Sequence, residues 1–84
     1  MDKTVAMVEF LEDWQNMSYE EVETASDIKV FNVIGTIIQL VKNGYMPMSA
    51  TYSFISDILS LTDEEKERIA GIITNAYESI IEIH

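Results

Sequence analysis

The sequence predicts an all-α protein, a compact bundle of about four helices. Three observations carry this. Every long segment repeats its apolar residues with the period of a helix, and none alternates as a half-buried strand does. Ser, Thr or Asp stands just ahead of these segments, twice with a Glu three residues on, which is how helices open. The one proline, Pro47, falls between two of them. The chain is expected to form one helical domain over residues 1–84.

The first helix is expected over residues 3–16, capped by Asp2. Ala6, Met7, Phe10, Leu11, Trp14 and Met17 form its apolar stripe, and Val5 and Val8 lie off it.

The second is expected over 19–43, with a kink or break near 26–27. Its core is VFNVIGTIIQLV, residues 30–41. Twelve residues are too few to cross a bilayer, which takes about 20. Wound as a helix, the stretch puts Asn32, Gly35, Thr36 and Gln39 on one narrow arc. Val30, Phe31, Val33, Ile34, Ile37, Ile38, Leu40 and Val41 fill the opposite side. Carried backwards, the pattern fails: Glu23 and Asp27 fall on the apolar arc, and Ala25 and Ile28 off it. A fresh start capped by Ser26 or Asp27 accounts for that. Ser18-Tyr19-Glu20-Glu21 reads as a capping box for an earlier helical piece. Lys42, Asn43 and Gly44, with Pro47 beyond, end the helix.

The third helix is expected over 49–60, capped by Ser49. Tyr52, Ile55, Ile58 and Leu59 share a face that Phe54 and Leu61 widen. The fourth, over 63–82, has the clearest opening. Thr62 caps it, Glu65 reaches back, and Asp63, Glu64 and Glu65 sit at the positive end of the helix dipole. Ile69, Ile72, Ile73, Ala76, Tyr77, Ile80 and Ile83 form its apolar face. Glu64, Arg68, Asn75, Glu78 and Glu82 lie on or near the other.

Composition narrows the function. Fifteen acids against five bases give a net charge of −10. Such a surface repels nucleic acid and anionic membranes, so neither is an expected partner, whereas a basic protein surface is the electrostatic match. Helices three and four could form a helix-turn-helix. Its leading residues would be Asp63, Glu64, Glu65 and Glu67, four acids against phosphate. With no Cys, disulfides and thiolate metal sites are excluded, and a cytoplasmic setting fits. The acids in MDKTVAMVEFLEDW interrupt any apolar targeting region.

No enzyme is expected. His84 is the only His, a nucleophile–base pair is lacking, and a small bundle rarely encloses carboxylates tightly enough to tune them. No metal or cofactor is expected either. Glu78, Glu82 and His84 are close in sequence, but His84 points away on the helical wheel. Leu61–Glu65 resembles the helix openings of EF-hand proteins over five residues, but the calcium-loop pattern is missing.

Two features point to partners. The first is an acidic block: Glu9, Glu12, Asp13, Glu20, Glu21, Glu23 and Asp27, with no Lys or Arg from Glu9 to Ile28. It is either a solvated face or a docking surface for a basic protein, in the extreme a mimic of nucleic-acid phosphates. The second is NGYMPMSATYSF, residues 43–54. Its Tyr45, Met46, Met48 and Phe54 are an alternative, apolar partner surface, or else they close the end of the core. The expected function is a non-enzymatic regulator or inhibitor that occupies a basic partner surface. In size and charge the chain resembles inhibitors from phages and mobile elements, such as anti-restriction and anti-CRISPR proteins, although no motif ties it to them. The alternatives are a self-associating bundle, a homodimer built on the 30–41 face, and an immunity protein or antitoxin facing a basic toxin.

Overall fold

The segment from Val30 to Val41 is the spine of the molecule. Val30, Ile34 and Ile37 are completely buried, with Val33, Ile38 and Val41 nearly so, while Asn32, Thr36 and Gln39 face solvent. Val and Ile give up a few tenths of a kcal/mol each in helix propensity, against about 1.5–3 kcal/mol for burying each side chain. Packing therefore decides that this stretch is a helix.

The computed structural model describes residues 3–82. They form α1 (Lys3–Ser18), α2 (Ala25–Lys42), α3 (Met48–Ile58) and α4 (Asp63–Glu82), with one 3-10 turn at Tyr19–Glu21 and no strand among the described residues. The expected cap Asp2 lies outside them. Short connections turn each helix back on the one before, so the N-terminal ends of α2 and α4 lie side by side. α1 packs against both α2 and α4, and α3 lies mainly on α2, touching α4 lightly. The core joins Met7, Val8 and Leu11 of α1 to the α2 spine, Met48 and Ile55 of α3, and Ile69, Ile72, Ile73, Ala76 and Ile80 of α4. The half-circumference apolar face of α2 is thus covered by its own chain.

Several local expectations need correction. α2 is capped by Thr24 rather than by the expected Ser26 or Asp27, two to three residues earlier. The Thr24 hydroxyl accepts from the Asp27 N–H at 3.0 Å, and the Asp27 carboxylate accepts from the Thr24 N–H at 3.1 Å. Asp27 is therefore the third residue of a capping box, which explains a carboxylate on the apolar arc. Residues 19–24 are not a continuous helix, because Val22 is extended, and Ser18 makes no side-chain cap. α3 opens after Pro47, without a side-chain cap, rather than at Ser49.

The buried arc of α1 is centred on Leu11. It takes in Val8 and leaves Met17, about 120° round the helix, 73% exposed. Being short and covered mainly on one side, α3 buries only the stripe Met48, Thr51 and Ile55, so Ile58 stays 58% exposed and Leu59 and Phe54 are also exposed. Tyr77 is exposed on α4, and Ile83 lies outside the described residues. The end of α2 follows expectation. Gly44 has φ +77° and donates to the Val41 carbonyl at 3.1 Å, while Tyr45 donates to that of Leu40 at 2.9 Å. This is a Schellman closure, and the left-handed position favours Gly.

Two outcomes are expected. Ile37→Asp places an unpaired charge in a completely buried position, at a cost of several kcal/mol out of a total of about 5–15. Circular dichroism should show loss of helix rather than mere dissociation. The buried Ser56 hydroxyl has no hydrogen-bond partner among the described residues. Ser56→Ala should stabilise the fold by about 1 kcal/mol, read as a higher denaturation midpoint.

Candidate functional site

The seven acids of the block separate into two kinds. Asp27 is tied into the fold. Its carboxylate accepts from the Glu23 and Thr24 N–H groups, each at 3.1 Å, and pairs with Arg68 of α4 at 3.0 Å. Those backbone donors, with Arg68 adding, hold it below its ordinary pKa of 3.8. Glu12 faces Lys42 at 3.3 Å in an exposed pair, worth about 0–1 kcal/mol. The other five have no cationic partner among the described residues. Glu9 and Asp13 project from α1, Glu20 and Glu21 from the 3-10 turn, and Glu23 from the link, all exposed.

The same link builds an apolar groove that the sequence did not disclose. Ile28 falls off the buried arc of α2, and the 3-10 turn and extended Val22 bring Tyr19 beside Phe31. Tyr19, Val22, Ile28 and Phe31 line an open depression of about 320 Å³. Val22 and Phe31 also border a second depression of about 270 Å³, where Trp14, Glu21, Asp27 and Arg68 meet. The ring of Phe31 lies between Trp14 and Tyr19, 6.2 Å from each centroid. Tyr19 is 72% and Ile28 51% exposed, so large apolar surfaces face water within a segment carrying Glu20, Glu21 and Glu23. The available signal was Tyr19, Val22 and Ile28 themselves, apolar residues with no core position in an acidic stretch.

The alternative set from residues 43–54 does not form one surface. Met48 is 3% exposed and belongs to the core, beside a depression between α3 and α4. Met46 is half-buried and Phe54 exposed on α3. Tyr45 is 76% exposed and borders a depression over the polar arc of α2.

Glu65, like Asp27, is held below its ordinary pKa, in this case 4.5, first by the Thr62 N–H and then by the Ser26 hydroxyl and Lys29. Both are kept ionised, which is the opposite of a carboxyl poised to exchange a proton near neutral pH. Among the described residues no three His, Cys, Asp or Glu are grouped to hold a metal ion, and no helix is long and apolar enough to cross a membrane. His84 lies outside these residues, and Glu78 is exposed on α4. Compared with known proteins, the chain matches no family, no curated protein and no solved structure.

Acid should loosen the fold through the two bonded carboxylates. A folded pKa below the unfolded one contributes stability that is complete above the unfolded value and is lost as pH falls through the folded one. The melting temperature should therefore hold from neutral pH to the ordinary carboxyl range and drop below it. Asp27→Asn combined with Glu65→Gln should flatten that drop while lowering stability at neutral pH. An acid limb as steep as the parent's would assign it to other groups.

Proposed function

We propose that the chain is a non-enzymatic interaction module that regulates or inhibits a partner protein by occupying its basic surface. One observation carries the reading: the distribution of cations. Lys29, Lys42 and Arg68 pair with Glu65, Glu12 and Asp27, and none pairs with Glu9, Asp13, Glu20, Glu21 or Glu23. Among the described residues, five exposed carboxylates on α1 and its following link are thus left without an internal counter-charge. Such a field steers a basic surface towards the chain and repels nucleic acid and anionic lipid. A cytoplasmic inhibitor of the phage or mobile-element kind is one form of this function, and an immunity protein facing a basic toxin is another. Homodimerisation through the 30–41 face is less favoured, because α1, α3 and α4 cover that face.

The test uses charges that the fold does not need. Single reversals should be nearly silent, since one exposed pair contributes only about 0–1 kcal/mol. Glu20→Lys, Glu21→Lys and Glu23→Lys together should keep the parent's melting temperature. Proteins retained from host lysate by the parent at low salt, and released at high salt, should be lost by this variant. Asp63→Lys with Glu64→Lys is the control and should retain them. Equal retention by the parent and the triple variant across the salt series would leave the block as a solvated face.

A further inference from the structure

We propose that the groove lined by Tyr19, Val22, Ile28 and Phe31 receives a bulky apolar side chain carried on a lysine- or arginine-rich segment of the partner protein. This rests on the function proposed above and adds how the partner is recognised. The apolar half of the argument is exposure. Tyr19 and Ile28 present 72% and 51% of their surface to water, beside the half-buried Val22 and Phe31. Aromatic side chains within an acidic segment have the make-up of an interface anchor with charges beside it. At about 320 Å³ the depression stands at the bottom of the about 300–1,000 Å³ range of enclosed ligand pockets, and it is open to solvent. It therefore suits a side chain on a protein surface better than a free small molecule.

Charge selects the occupant. Glu20, Glu21 and Glu23 belong to the segment that forms the groove, and no cation among the described residues pairs with them. A second copy would bring the same three acids and a further net charge of −10 to the contact. An anionic lipid surface meets the same repulsion. A segment that places Lys or Arg beside a Leu, Met or Phe satisfies both parts, its cations on the rim and its apolar side chain against Tyr19, Ile28 and Phe31. The second depression shares Val22 and Phe31 and is lined by Trp14, the only Trp in the chain. Trp14 is therefore a built-in reporter of occupancy.

The test titrates the full chain with two synthetic peptides of equal length and equal lysine count. One carries Leu at helical spacing, and the other carries Ser at the same positions. Calorimetry gives affinity, and Trp14 emission reports the site. The Leu peptide should bind about tenfold to a hundredfold more tightly, as burial of one large apolar side chain requires, and should shift Trp14 emission to the blue. Tyr19→Ser with Ile28→Ser should remove that advantage and leave binding of the Ser peptide unchanged. Tyr45→Ser, which removes an exposed ring at the other end of α2, should keep the advantage. Ile28→Ser alone carries the test if the double variant loses its melting transition. Equal affinities for the two peptides, or an advantage that survives loss of Ile28, would overturn the groove and leave the acidic surface standing. Failure of both peptides to bind at low salt would overturn the acidic surface and the groove together.

Discussion

Two capping boxes that grip each other hold this bundle in register. Thr24 and Asp27 close the start of α2, and Thr62 and Glu65 close the start of α4. Each box lends its carboxylate to the other helix. Asp27 pairs with Arg68 at 3.0 Å, and Glu65 accepts from the Ser26 hydroxyl at 3.0 Å with Lys29 at 3.6 Å. Lys29 also donates to the Ser60 carbonyl at 2.9 Å, tying the approach to α4 onto α2. Both carboxylates stand where the helix dipole favours negative charge. Glu65 is only 4% exposed, a position in which an ionised group is costly unless bonded on several sides, and its donors come from both helices. Separating the two helix starts would strand that charge. The cross-link therefore fixes which end of α2 meets which end of α4, and hydrophobic burial, being non-directional, cannot do this alone.

The remaining packing follows from that register. With α2 and α4 set side by side, α1 lies against both. Gln15 reaches the α2 backbone, donating to the Phe31 carbonyl at 3.1 Å. A Cβ on Gly35 would stand 2.9 Å from the Gln15 amide nitrogen, so the glycine admits this approach. Gly35 thus serves the α1 contact, although its place on the polar arc of α2 suggested solvent. Ala6, Phe10, Trp14, Leu40, Tyr52 and Leu61 pack against the edges of this core.

What could be read from the sequence was what depends on near neighbours. The Thr62–Glu65 box was legible because all of its parts lie within four residues, and the α2 spine because a wide apolar face repeats with the helical period. Thr24-Ala25-Ser26-Asp27 is the same kind of box, but Asp stands where Glu or Gln is usual. The misfit of Asp27 on the apolar arc then drew attention to Ser26 and Asp27 as caps. Exposure of Ile58 and burial of Val8 depend on which helix lies opposite, and Arg68 reaches Asp27 across forty-one residues. The groove was hidden for a further reason. It exists only because a 3-10 turn and an extended Val22 replace the helical piece expected from residue 19 to a break near 26–27.

The arrangement separates two uses of negative charge. Asp27 and Glu65 are bonded within the fold, and changing either disturbs the helix starts. Among the described residues no ion pair holds Glu20, Glu21 or Glu23, and Glu23 contributes to the fold through its backbone N–H, which donates to Asp27. The link that carries them is nonetheless held, because that N–H, the Thr24 cap and the edge-on contact of Tyr19 with Phe31 define its path. Free carboxylates on an anchored segment lose less conformational freedom on binding than the same charges on a loose one. The cross-link that orders the helices thereby also presents the acidic surface and its groove in a fixed geometry, as the proposed occupation of a partner's basic surface requires.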